Sequence, residues 1–329
     1  MHTMSRKLAG WLTPAVLACS AAGTAALAQD KPPGYPVRPI RIIISVSPGG
    51  GADYIARATA QLLSDRWGQN AVVDSRPGGG GVIAVELTAR AAPDGYTILQ
   101  YGDGMMLIGA LKRVPFNVLK TFDPVVSLST QPYVLLVHPN LPAKSIKELV
   151  ALSAAKPLTY GGGGGVGATV HMGLERLATV SGMKLKYISY KGATPALLAL
   201  MGGEINMVTA SAMAASAAIR TGTARGLAST GLRRIAALPD LPTVAEQGVA
   251  GYKLTNRYNL WVPAGTPSAI IAAINRVASD GMHAPQMVQR LAAEGSEPAE
   301  RMTPAELKAI VALEYAEVER SVKQLGLKF

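Results

Sequence analysis

The feature that most constrains this chain is the alternation of short β-branched runs with helix-period segments, joined by Gly-rich breaks. Arg41 to Val46 reads as a strand, S-P-G-G-G-A-D breaks it, and Ile55, Ala58, Leu62, Leu63 and Trp67 fall on one helical stripe. Ala71 to Asp74 is a second strand, followed by S-R-P-G-G-G-G, a helix over Val82 to Ala92, a P-D-G turn and a third strand over Tyr96 to Tyr101. This β-α-β-α-β order predicts a parallel sheet with helices on its faces. A second run starts with a strand over Tyr133 to Val137 and a helix opened by the capping box Ser145-x-x-Glu148. Extended Leu158 to Tyr160, the glycine loop from Gly161 to Gly167 and a helix through Met172, Leu174 and Leu177 follow. Strands over Lys184 to Tyr190, Glu204 to Thr209 and Ala224 to Thr230 alternate with helices from Pro195 and Ser211. Late in the chain, Tyr258 to Val262 is a strand and Pro267 to Ser279 a helix. Thr303-x-x-Glu306 opens a final helix with Pro304 at its first position. The expectation is an α/β chain of two segmented lobes with a cleft between them. Residues 29–132 and 250–329 form lobe one and residues 133–249 lobe two, with the Pro- and Gly-rich Pro239 to Tyr252 as a crossing strand or linker.

A length of 329 residues fits about two domains, and 49% hydrophobic against 16% charged residues provides a core and excludes a disordered chain. The 35 Gly and 22 Pro cluster between apolar runs, which excludes collagen-like and low-complexity readings. The first 28 residues carry Arg6 and Lys7, an uncharged Ala-rich stretch from Leu8 to Leu27 and the pattern Ala26-Leu27-Ala28. This reads as a cleaved secretory signal peptide; a membrane anchor and lipidation at Cys19 are the alternatives. The predicted address is the periplasm. The one Cys excludes a disulfide framework and a Cys-based metal site. The formal net charge is +11, but Lys and Arg are scattered and aromatics make up only 5%, so no nucleic-acid partner is expected.

Catalytic motifs are missing from the sequence. His138, His171 and His283 are far apart without a carboxylate at metal-ligand spacing, and there is no G-x-S-x-G, P-loop or H-E-x-x-H. Gly162, Gly164 and Gly167 satisfy G-x-G-x-x-G, but a run of five glycines does so trivially and no acidic residue lies about 20 positions on to hold a ribose. No cofactor is expected. The two Gly-rich loops are the strongest physical signal. Each joins a strand to the helix it feeds, where free N–H groups and the helix dipole favour an anion. A facing pair of anion grips, one per lobe, is the reading this supports.

The stretch Y-P-V-R-P-I-R-I-I-I-S-V-S-P-G-G-G-A-D from Tyr35 to Asp53 resembles the N-terminal signature of the Bug/TctC family. These are periplasmic solute receptors associated with tripartite tricarboxylate transporters. V-V-D-S-R-P-G-G-G-G, A-A-P-D-G-Y-T-I-L, G-V-G-A-T-V-H-M, Y-K-G-A-T-P-A-L-L-A-L-M-G-G-E-I-N, L-P-T-V-A-E-Q-G and P-A-G-T-P match in the family's order. The resemblance implies a two-lobed, flytrap-like binding protein, monomeric, that hands a small carboxylate to a membrane permease. It implies that backbone amides and ordered waters hold a ligand carboxylate between two loops. The first is Ser47, Pro48, Gly49, Gly50, Gly51, Ala52 and Asp53; the second is Gly161, Gly162, Gly163, Gly164, Gly165, Val166, Gly167, Ala168 and Thr169. Asp53 is either the N-cap of its helix or a direct ligand contact.

The chain departs from the family at two places. Relatives often carry hydroxyl residues where Gly161 and Gly162 stand, which predicts lost donors and a wider pocket. After the third strand, Asp103, Gly104, Met105 and Met106 replace small polar residues and a His. At a cleft mouth they predict a different distal group on the ligand, apolar, aromatic or cationic; alternatively the Met pair packs in the core. A receptor for a signalling partner and a secreted α/β enzyme are the rival readings.

Overall fold

The structure is a computed structural model that describes residues 31–162, 168–293 and 295–325. The expected signal peptide over residues 1–28, with Cys19, lies outside the described residues.

The first sheet contains β1 (Ile40–Ile44), β2 (Ala71–Ser75), β3 (Thr97–Tyr101) and β4 (Phe122–Pro132). The second contains β5 (Val134–Val137), β6 (Leu158–Gly162), β7 (Leu185–Ser189), β8 (Met207–Ala210) and β9 (Arg225–Ser229). The chain then returns, and β10 (Thr255–Pro263) and β11 (Glu297–Pro298) join the first sheet, giving the orders β11-β4-β10-β3-β1-β2 and β7-β6-β8-β5-β9. The two lobes are therefore segmented. Neither sheet is the purely parallel one expected. Each holds a parallel trio (β2-β1-β3 and β7-β6-β8) extended by antiparallel strands. The reason lies in the crossing: β4 leaves the first lobe along its own direction, and β10 comes back the opposite way beside it.

The helices in chain order are α1 (Gly51–Trp67), α2 (Val82–Ala89), α3 (Gly104–Ala110), α4 (Val118–Thr121), α5 (Ile146–Ala155) and α6 (Thr169–Ser181). They continue with α7 (Ala193–Met201), α8 (Ala212–Arg220), α9 (Ser268–Met282), α10 (Pro285–Ala293) and α11 (Pro304–Leu325). Strands buried on both faces sort their side chains by parity. In β1, Ile42 and Ile44 pack with Ile55 and Leu63 of α1 and Ile274 of α9, while Ile43 packs with Val85 of α2 and Leu307 of α11. In β5, Leu135 and Val137 meet α5 and α6, while Val134 and Leu136 meet the small-residue faces of α7 and α8. Helix ends follow local chemistry. Gly68 stops α1 in the left-handed region at φ 69°, its N–H donating to Ser64 O. Both expected capping boxes form: Ser145 Oγ accepts from Glu148 N–H at 3.2 Å, and Thr303 Oγ1 accepts from Glu306 N–H at 3.2 Å.

Two segments join the lobes, one at Tyr133 and one at Leu254, and Thr230 ties them together. Thr230 N–H donates to Tyr133 O at 2.8 Å, and Leu254 N–H donates to Thr230 O at 2.8 Å. Its hydroxyl donates to Leu254 O at 2.6 Å and accepts from Tyr133 N–H at 2.8 Å. Thr230 is fully buried, so every one of these bonds is shielded from water.

Candidate functional site

A cavity of about 100 Å³ lies between the lobes, large enough for several waters or a small molecule. The first lobe contributes Ser45 and Ser47 at the end of β1, Gly50 to Ala52 at the start of α1, and Gln100, Gly102 and Gly104 around the end of β3. The second contributes Ala168 to Val170 at the start of α6, Ala193 at the start of α7, and Thr209 to Ser211 between β8 and α8. Gln131, Tyr133, Asn256 and Tyr258 close it from the crossing strands. Parallel strands end on one edge of a sheet and their helices begin there. The two edges face each other, so the N-termini of α1, α6, α7 and α8 converge on one volume. Each brings the positive end of its dipole there, and at α8 the Ser211 hydroxyl caps the Ala214 N–H at 3.3 Å. Among the described residues, no Asp, Glu, Lys or Arg lines this cavity. The polar groups are neutral hydroxyls and amides: burial pushes the Tyr133 phenol well above its ordinary range, and Tyr258 donates to Gln131 Oε1 at 2.8 Å. No described group of three or more His, Cys, Asp or Glu is placed to hold a metal ion.

Of the first loop, Ser47, Gly50, Gly51 and Ala52 stand on the cavity wall. Pro48, Gly49 and Asp53 are not on it. The N-cap of α1 is Gly50, and Asp53 sits in the first turn, where its carboxylate accepts from Gly49 N–H at 3.0 Å and from Arg57 Nε at 3.0 Å. Asp53 is thus neither N-cap nor cavity contact; it clamps the loop that leads into the helix. Gly51 is required by crowding. A Cβ there would lie 3.1 Å from Tyr258 OH and 3.3 Å from Gln131 Cδ, and closer still to Gln131 Oε1.

Of the second loop, Ala168 and Thr169 line the cavity, while Gly163, Gly164, Gly165, Val166 and Gly167 lie outside the described residues. Gly161 and Gly162 belong to β6 and do not widen the pocket. A Cβ on Gly161 would meet Tyr190 at 2.8 Å and Ile205 at 2.9 Å, and one on Gly162 would meet Val170. Neighbouring side chains already fill the space that hydroxyl residues would take.

For the segment after β3, the structure takes the core alternative for the Met pair. Gly104 lines the cavity, but Met105 and Met106 are buried in the core with Leu99, Phe122 and Trp261. Asp103 turns to Arg257, 3.6 Å away and itself paired with Glu314, and accepts from Arg257 N–H at 3.4 Å. Burial pushes the Asp103 carboxyl up to about 6 against the pull of Arg257. Asp103 is engaged in this ion pair and is not on the cavity wall.

Sequence reasoning missed the side chains that close the cavity. Gln100 follows the buried apolar pair Ile98 and Leu99, and Thr209 is the single polar residue of β8; that mismatch was the available signal. The lobes touch along a seam beside the cavity: Ser47 N–H donates to Lys191 O at 3.2 Å, and Thr194 Oγ1 to Pro48 O at 3.4 Å. These contacts mark a closed arrangement.

Comparison with known proteins agrees with this geometry. Residues 55–327 match the tripartite tricarboxylate transporter family receptor. BugT of Bordetella pertussis is 32% identical over 298 residues, which cover 89% of this chain and 91% of BugT. Rpa4515 of R. palustris, solved with adipate, has a TM-score of 0.83 at 29% identity, covering 89% of this chain and 99% of that one. MatC from Rhodopseudomonas palustris with bound malate has a TM-score of 0.81 at 26% identity, covering 88% and 100%. With residues 55–327 matched, the greater part of both lobes, the chain belongs to the tripartite tricarboxylate transporter receptor family.

Proposed function

We propose that this receptor captures a small carboxylate between its lobes in the periplasm and presents it to the permease of a tripartite tricarboxylate-type transporter. It is exported by the signal peptide over residues 1–28, acts as a monomer and does not turn its ligand over. One observation carries the carboxylate reading: four helix N-termini converge on a cavity with no charged side chain on its described wall. A cation there would face the positive dipole ends with no counter-charge, whereas an anion finds N–H groups already oriented. The adipate and malate held by two structural relatives support the same class. Ser47, Gly50, Gly51, Ala52, Ala168 and Thr169 form the grip, with Gly163 to Gly167 continuing it.

Calorimetric titration with C3 to C6 mono- and dicarboxylates and aromatic acids, each beside its methyl ester and primary amide, tests this. Hydrogen bonds to a charged group contribute about 1.5–3 kcal/mol each, so losing one or two weakens binding roughly 10- to 1,000-fold. Equal affinity for acid and amide overturns the reading.

A further inference from the structure

Gln100 lies on β3 at the cavity wall and is only 2% exposed. Its Nε2 donates to Ala52 O at 2.7 Å, in the first turn of α1. That bond fixes the amide: turned over, Oε1 would face the Ala52 carbonyl, acceptor against acceptor. Oε1 is left buried with no partner in the protein. Across the cavity, Thr209 on β8 is 1% exposed and its Oγ1 is likewise unpartnered. A buried acceptor without a donor is costly, and a carboxylate cannot relieve it because an ionised carboxylate only accepts. The group that satisfies Gln100 Oε1 therefore carries an N–H or O–H. It sits beside the N–H groups at the start of α1, where the carboxylate is held.

We propose that the ligand is a hydroxy- or amino-substituted carboxylate whose donor lies next to the carboxylate, read by Gln100 from the first lobe and by Thr209 from the second. The proposal rests on the carboxylate reading above and narrows it. A water fixed at the same place would serve plain and substituted acids alike, so the two arrangements differ in selectivity.

The test uses the full mature protein and acid pairs differing in one donor: propionate and lactate, succinate and malate, succinate and aspartate, adipate and 2-hydroxyadipate, phenylacetate and mandelate. In the pair whose length fits, the donor-bearing acid binds about 10- to 100-fold tighter, the factor expected for one buried polar group left unpaired. In Gln100→Met, of similar length but with no acceptor, that ratio collapses towards one. A residue that only supported the wall would weaken both members of a pair by the same factor and leave the ratio unchanged. Thermal melting of Gln100→Met without ligand confirms that it folds. Acids that bind to wild type without preference for the donor overturn this proposal and leave the carboxylate reading standing, as does a preference that survives Gln100→Met. Failure of every acid to bind overturns both.

Discussion

Replacing Gly51 by Ala adds one methyl group at the most crowded point of the site. The new Cβ falls 3.1 Å from Tyr258 OH and 3.3 Å from Gln131 Cδ, tighter than ordinary contacts, and collides with Gln131 Oε1. Gln131 is 1% exposed and Tyr258 5%, so neither can swing into solvent. Either the 2.8 Å Tyr258–Gln131 bond breaks, or the first turn of α1 is displaced together with the N–H groups it presents. Breaking a buried hydrogen bond costs about 1–3 kcal/mol. For a protein of this size that lowers the melting temperature by several degrees. Displacing the turn misdirects its donors, and each 1.4 kcal/mol lost weakens binding tenfold, so a loss of roughly 10- to 100-fold is expected. Gly50→Ala is the matched control. Gly50 has φ −100°, which any residue adopts, and its added methyl would rest 3.6 Å from Ala193 Cβ, an ordinary contact. That variant should lose less than about 1 kcal/mol of stability. Calorimetric titration and thermal melting of both variants decide the matter. If Gly51→Ala melts and binds as Gly50→Ala does, the packing argument for the grip is wrong.

Three further outcomes are expected. Thr230→Val strips the tie between the crossing segments, leaving Tyr133 N–H and Leu254 O without their side-chain partner; it should cost about 1–3 kcal/mol in a melt, Thr230→Ser restores most of it, and an unchanged melting temperature counts against the tie. Because burial raises the Asp103 carboxyl to about 6 in the folded protein, above its ordinary unfolded value, its contribution is fullest below the unfolded pKa and is lost as pH rises through about 6. The melting temperature of Asp103→Asn relative to wild type should therefore climb between about pH 4 and 6 and level off above, and a flat difference refutes the assignment. The seam between Ser47–Pro48 and Lys191–Thr194 exists only with the lobes together, so solution scattering should show a smaller radius of gyration with saturating ligand than without, and identical curves refute closure.

What the sequence showed, and what it hid, divides along the range of the interactions. The alternation of strands and helices is written in local periodicity, and the capping boxes at Ser145 and Thr303 lie within four residues of the helices they start. Those features were legible. The strand β4 was not read, because its course from Phe122 to Pro132 carries Asp123, Pro124, Gln131 and Pro132 and lacks a clean alternation. It is a strand because β10 pairs with it along its whole length, a partner more than a hundred residues away. Antiparallel pairing was hidden for the same reason. At the site, the glycine breaks revealed where an anion could be held, but a local reading cannot tell a glycine that faces a ligand from one that faces a neighbour. Gly51 is crowded by Gln131, Gly161 by Tyr190 and Ile205, and Gly162 by Val170; all three look alike in the sequence. For Met105 and Met106 the sequence left the cleft mouth and the core both open; the core is settled by β10 and α11, through Trp261 and Leu307, and Asp103 is turned to Arg257, itself paired with Glu314.

Among the described residues, none of the charged side chains behind the formal +11 lines the cavity, which suits the proposed receptor. A guanidinium in the cavity would hold any carboxylate by charge, whatever its length or substituents, and in the open form it would be half-solvated and still attractive. Helix N-termini act differently. Their N–H groups are fixed in direction by the fold, and the starts of α1 and of α6, α7 and α8 come from different lobes to one cavity, so on the proposed reading they would act together only with the lobes closed. Binding energy is thereby reserved for the closed state, which is the condition for a ligand to shift the equilibrium at all. The same fixed geometry makes one mismatched polar atom expensive. A cavity closed over neutral groups has no mobile charge to reorganise around an unsatisfied Gln100 Oε1, so on the proposal above selectivity would rest on the ligand's own donors.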